Sequence, residues 1–132
     1  MTERINKSES KQYKVVFPNT LNDHDTLFGG IAMQWMDELA YITATRFTRM
    51  KMVTVSTGKI HFRNAIKSGT IAEITAKVIK VGNVKIDIQV EINVEEMYTD
   101  KKFLAVDAVF TFAAVDGDNK AIRLELEESL AL

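Results

Sequence analysis

The stretch LFGGIAMQWMDELAYITATRF, residues 27–47, decides the architecture. It contains no proline, opens on the Gly29–Gly30 pair, and is apolar almost all round at helical spacing. It predicts one long helix buried on most sides rather than lying on a surface. Asp37 falls within it, with Met33, Met36, Ala40 and Tyr41 as neighbours. At about two turns from the start, it is beyond the first turn, where the helix dipole favours carboxylates. Two readings stay open. Asp37 is a structural carboxylate satisfied by a hidden partner, or a chemical group whose pKa desolvation would raise unless hydrogen bonds or a cation offset the cost.

Outward from this helix the chain alternates. KIDIQVEINVE (85–95) puts Ile86, Ile88, Val90, Ile92 and Val94 on one face and Lys85, Asp87, Gln89, Glu91, Asn93 and Glu95 on the other, the pattern of an antiparallel strand with one wet side. IAEITAKVIKV (71–81) alternates through Ala72, Ile74, Ala76 and Val78, and Gly82–Asn83 joins the two runs as a hairpin. FLAVDAVFTFAAV (103–115) is apolar on nearly both faces and reads as a central strand; MVTVSTGKIHF (52–62) and YKVVF (13–17) complete the set. PNTLNDHDT (18–26) is a loop by its turn chemistry. The sum is α+β: an antiparallel sheet wrapped around one long central α-helix, with residues 1–12 a flexible lead, 13–118 the domain, and 119–132 a C-terminal strand or tail. One small sheet cannot cover so apolar a helix, so a second copy is expected to bury the remainder.

The 132 residues suit a single domain, and a net charge of −1 predicts no nucleic-acid or anionic-membrane partner. There is no cysteine, which removes disulfides, thiolate metal sites and cysteine nucleophiles. No run approaches the roughly 20 apolar residues of a membrane span, and the polar start MTERINKSESKQ lacks a signal-peptide core. The expected location is cytoplasmic. Two distant histidines, His24 and His61, make no zinc site, and DGDNKAIRLELEE (116–128) fails as a calcium loop because Ala121 stands where glycine is required. No metal is expected.

A glycine pair leaves the first N–H groups of a helix open to close approach, and that end attracts developing negative charge. Such donors near a carboxylate could stabilise an oxyanion and activate water on one carbonyl. Asn22 could orient that water or polarise the carbonyl, although asparagine in such a loop is more often a turn former.

Residues 22–38, NDHDTLFGGIAMQWMDE, resemble the helix-opening motif of hotdog-fold acyl-CoA thioesterases, N-x-x-G-x-x-F-G-G-x-x-M-x-x-M-D. The resemblance continues in VTVSTGKIHFRNAIKSGT (53–70), which is similar to their V-T-V and F-x-x-P-I-x-x-G-D segments, in VGNVKIDIQVEINVE (81–95) and in AVFTFAAVD (108–116). It implies a helix swaddled by a curved sheet, two chains forming a continuous double sheet, and hydrolysis of the acyl-CoA thioester. It also implies that Asp37 is the catalytic carboxylate, as general base or nucleophile, that Asn22 of the facing subunit is its partner, and that Gly30 with Gly29 supplies the oxyanion N–H. No cofactor is implied beyond coenzyme A as part of substrate and product. The implied partners are a small-molecule acyl-CoA and further copies of the chain, as a homodimer or an assembly of dimers such as a hexamer. Three positions depart from the pattern: Asp25 for glycine, Ala65 for proline and Thr70 for aspartate.

Coenzyme A carries phosphates, so its rim needs cations and N–H donors. Arg63, Lys59, Lys80 and Lys85 are candidates, with the Gly82–Asn83 turn. Each lysine on a strand face is more often a solubilising residue. Met33, Trp35 and Met36 read as core or dimer packing before acyl-tunnel lining. The rival functions are a non-catalytic acyl-CoA binder or sensor, and a hotdog hydratase, whose Asp/His motif His24 and His61 do not supply.

Overall fold

The computed structural model of the chain describes residues 1–126. Its scaffold is an antiparallel sheet whose register follows from the alternation of the sequence. Strands β4 (Thr70–Val81) and β5 (Lys85–Glu96) form the expected hairpin, opposing Ile74 to Ile92, Ala76 to Val90 and Val78 to Ile88. Strand β6 (Lys102–Ala114) continues the layer, placing Phe110 opposite Ile88 and Phe112 opposite Ile86. All these side chains are buried. With β1 (Ser10–Val15), β2 (Met52–Thr57) and β3 (His61–Phe62), the sheet order is β1-β4-β5-β6-β2, β3 also pairing with β6. Register shifts at Val78/Lys80, Ile92/Asn93 and Thr54/Ser56 mark irregularities of the bulge kind, which add twist and let a sheet curl.

The curled face holds helix α2 (Gly29–Thr48), preceded by a short helix α1 (Thr2–Asn6) and a single turn of 3₁₀ helix at Pro18–Thr20. An antiparallel sheet wrapped round one long helix is therefore what this chain forms. The helix departs from expectation in its burial. Ala32, Met36, Leu39, Ala40, Thr43, Ala44, Phe47 and Thr48 are buried, whereas Met33, Tyr41 and Ile42 stay exposed on the single chain. A single sheet covers only one face of a helix, so the all-round apolar pattern exceeds what one chain can bury. Strand β2 lies at the edge with only Met52 buried, leaving Val53 and Val55 open.

Two further corrections concern boundaries. Residues 1–12 are no frayed lead: Thr2–Asn6 is helical and β1 starts at Ser10. The anchor is Arg4, buried with its guanidinium 5.0 Å from the centre of the Phe47 ring, its Nη2 donating to the Phe47 carbonyl at 2.5 Å. The single strand expected over 52–62 is two, interrupted after Thr57, where Gly58 N–H bonds the Val109 carbonyl. At the other end Val115 bridges Ala121, and Leu124 N–H donates to the Asn83 carbonyl. The rest of the expected C-terminal strand or tail, 127–132, lies outside the described residues. Among the described residues no helix is long and apolar enough to cross a membrane.

Candidate active site

The loop before α2 is shaped by Asn22. Its Oδ1 accepts N–H bonds from His24 (2.9 Å) and Thr26 (3.2 Å), and its Nδ2 donates to Thr26 Oγ1 at 3.0 Å. Asparagine does this because its short amide reaches the backbone two residues on. Asp25 then takes a left-handed conformation, φ 62°. Glycine fills that conformation without cost, and Asp tolerates it better than most residues. The departure of Asp25 from the thioesterase pattern thus keeps the loop conformation that glycine would give. His24 is exposed beside Asp23.

This loop delivers the chain into α2. Leu27 N–H donates to the Ile66 carbonyl (2.6 Å) and Phe28 N–H to the Thr20 carbonyl (2.9 Å), while the Phe28 carbonyl receives Ile31 and Ala32. The first N–H groups of a helix have no acceptor within it, and Phe28 provides no side-chain cap. Those donors belong to Gly29 and Gly30. A Cβ added at either glycine would meet only ordinary contacts, Phe62 at 3.6 Å or Phe28 at 3.7 Å. The chain's own packing therefore does not demand glycine here; open access to the N–H groups is what the pair provides.

Gly29 and Asn22 share a cleft of about 410 Å³ whose other walls include Thr26, Leu27, Ala32, Phe62, Arg63 and Ile66. Gly30 is exposed beside it. Mixed apolar walls with a few polar groups suit an amphipathic ligand. Asp37 is not part of this cleft. It sits eight residues further along α2, about 12 Å at ~1.5 Å per residue, partly exposed next to the edge strand. One chain therefore brings Asn22 and Gly29 together and holds Asp37 apart.

Asp37 has one partner that the sequence reading missed: Thr54 of β2, whose Oγ1 donates to Asp37 Oδ1 at 3.1 Å. Met52 and Thr54 share one parity of β2, which sets the Thr54 hydroxyl on the side of the buried Met52, but alternation alone does not tell what that side faces. The carboxylate is not the deeply buried group the sequence implied; it lies on the face of α2 that the sheet leaves uncovered.

The proposed coenzyme A rim divides. Arg63 lines the cleft just described. Lys80, Gly82, Asn83 and Lys85 line a separate cavity of about 500 Å³ at the β4–β5 turn, with Val84, Asp87 and Thr111. Lys59 is exposed between β2 and β3 and belongs to neither. Arg63 Nε donates to Asp107 Oδ2, and His61 Nδ1 lies 3.0 Å from Asp107 Oδ1. The Arg63 hydrogen bond, reinforced by that of His61, holds the Asp107 carboxyl below the usual carboxylate range against the opposing effect of burial. The same bond raises Arg63 above its ordinary value. His61 is thus partnered by Asp107 across the β3–β6 pair.

Residues 24–100 match the family model of the thioesterase superfamily. An uncharacterized acyl-CoA thioester hydrolase of Bacillus subtilis is 33% identical over 131 residues, covering 94% of this chain and 76% of its own. The acyl-CoA hydrolase of Staphylococcus aureus, solved with butyryl coenzyme A, coenzyme A and coenzyme A disulfide, is 32% identical. It superposes with a TM-score of 0.86 over 92% of this chain and 74% of its own. A hexameric thioesterase of Yersinia pestis is 29% identical with a TM-score of 0.80, covering 86% and 93%. The chain spans about a third of the length of the mammalian cytosolic acyl coenzyme A thioester hydrolases it also matches.

Proposed function

Because the chain belongs to the thioesterase superfamily, we propose that it is an acyl-CoA thioester hydrolase whose active site is completed between two copies of the chain. The observation that carries this reading is the separation of the two half-sites. Asn22 and the glycine N–H groups lie at one cleft, while Asp37, oriented by Thr54, stands on the uncovered face of α2. That face exposes Met33, Tyr41 and Ile42, beside β2, which among the described residues pairs only with β6. A two-fold contact there would cover it and set Asp37 of one copy against Asn22 of the other. Assemblies of such dimers, hexamers included, keep the same shared site.

In the proposed reaction, water attacks the thioester carbonyl while the Asp37 carboxylate takes its proton. The carbonyl oxygen becomes an oxyanion held by the N–H of Gly30, with Gly29 beside it. These glycines and Asn22 come from the copy facing Asp37, and Asn22 orients the water or the carbonyl through the Nδ2 hydrogen not used by Thr26 among the described residues. The tetrahedral intermediate collapses, the C–S bond breaks, and the coenzyme A thiolate leaves and is protonated from Asp37. Attack by Asp37 itself would use the same positions. No further cofactor enters the balance. The proposed location is the cytoplasm, a reading that a chain without cysteine supports.

The test is release of free coenzyme A thiol from acyl-CoAs of short to long chain, with Asp37→Asn alongside. Wild-type turnover is expected to fall by about 10²–10⁴ in the variant, the usual contribution of a positioned base, with the circular dichroism spectrum unchanged. Acyl-CoA bound without turnover on any chain length would make the protein a binder instead.

A further inference from the structure

The hydrolysis described above leaves the Arg63–Asp107–His61 group without a role. It lies where β3 pairs with β6, His61 opposite Asp107. Asp107 is largely covered, its side chain 16% exposed, whereas Arg63 and His61 are 51% and 45% exposed. Both carboxylate oxygens are engaged, Oδ2 by Arg63 and Oδ1 by His61. The backbone beneath is fixed as well. Arg63 N–H donates to the Ala105 carbonyl at 2.8 Å, and Asn64 Nδ2 to the Leu104 carbonyl at 2.7 Å.

A guanidinium presents five N–H donors in one rigid plane. Here Asp107 takes the Nε edge, which sets the plane; among the described residues no Nη hydrogen bond of Arg63 is formed, and Arg63 is also a wall of the Asn22–Gly29 cleft. A fork held this way is suited to a phosphate, since less is lost in ordering it than in ordering a free side chain. The lysines at the β4–β5 turn are point charges on flexible stems. The cavity they line shares no residue with the Asn22–Gly29 cleft.

Resting on the hydrolase reading, we propose that Asp107 is a positioning residue that holds the Arg63 guanidinium at the Asn22–Gly29 cleft to receive the phosphates of the substrate's coenzyme A portion. Arg63 touches the substrate; Asp107 acts through it. Acyl-group recognition is left to the apolar walls.

The experiment compares coenzyme A with pantetheine, which lacks the phosphates, as ligands in calorimetry. It compares acyl-CoA with the matching acyl-pantetheine as substrates. Asp107→Asn is expected to weaken coenzyme A, and to raise KM for acyl-CoA, by about tenfold, the scale of one charge-assisted hydrogen bond. Neither pantetheine compound should respond, and kcat should hold. Arg63→Gln should show the same selectivity, and the double variant should lose no more than Arg63→Gln alone. Arg63→Lys should not restore affinity, since the ammonium cannot replace the fork; this variant and Arg63→Gln carry the test if Asp107→Asn does not fold. Equal losses on both ligand types, unchanged coenzyme A affinity, or additive losses would each overturn the proposal. A wild type that binds coenzyme A through its phosphates, with the variants behaving as described, yet hydrolyses nothing would sink the hydrolase reading and leave Asp107 in place. A wild type that hydrolyses acyl-CoA with no loss in Asp107→Asn would do the reverse.

Discussion

If Asp37 is the base proposed above, Thr54 is the residue on which its aim depends. Its hydroxyl is the hydrogen-bond donor the structure gives Asp37, and a positioned carboxylate loses rate when its orientation is left to chance. Thr54→Val keeps the branched shape of a strand residue and removes the hydroxyl. Because Thr54 is exposed at an edge, its stability effect should stay within about 0.5 kcal/mol, while kcat/KM falls about tenfold for the lost hydrogen bond. Thr54→Ser should recover most of that loss. Steady-state kinetics beside thermal melts separate the effects, and a variant that melts early with full activity would make Thr54 merely structural. Legibility at this scale was uneven. Asp37, Asn22 and the glycines stood out because each breaks a local pattern. Thr54 did not, since threonine is at home in any strand, and only the fold shows which inward position faces a carboxylate. Asp25 could be read only as a departure; its positive φ explains why the loop accepts it.

At the scale of elements, alternation settled β4, β5 and β6 nearly to the residue, because a one-residue slip would turn every buried isoleucine to solvent. The first twelve residues were misread because their anchoring is tertiary. Arg4 looks like any surface cation until the carbonyl end of α2 is brought to it, where a cation is favoured. A second long-range contact ties β1, β4 and β6 together on the outer face of the sheet. Glu73 Oε2 accepts from Lys102 Nζ at 2.9 Å and from Tyr13 Oη at 3.0 Å. The Lys102 hydrogen bond, helped by that of Tyr13, lowers the Glu73 pKa against the pull of burial. A folded pKa below the unfolded value of about 4.3 means the stabilisation is fully present above that value. It is lost as pH falls through the folded pKa. Urea midpoints should therefore drop from pH 7 into the acid range. They should drop less steeply in Glu73→Gln, which starts lower at neutral pH because Lys102 then lacks its carboxylate. Parallel pH curves for the two proteins would show that Glu73 carries no part of the acid transition.

For the whole molecule the decisive feature is an apolar helix that one sheet cannot cover. The sequence announced it as helix hydrophobicity on all sides; the single chain shows it as Met33, Tyr41 and Ile42 in the open beside β2, the edge strand among the described residues. What the sequence could not show is that this surplus and the division proposed for the site meet on one face of α2. The face left bare is the face that bears Asp37, and the complementary groups, Asn22 and Gly29, lie in a cleft that Asp37 does not reach. If two copies close that gap, each site takes Asp37 from one chain and Asn22 from the other. Asn22→Ala and Asp37→Ala chains should then both be inactive as pure assemblies. Co-expressed with different affinity tags and purified through both, each mixed dimer should regain one intact site, the other carrying both substitutions. Thiol release by doubly tagged protein well above either parent is the expected result. Doubly tagged protein that stays inactive, with the mixed dimer verified by native mass spectrometry, would return both residues to a site within a single chain.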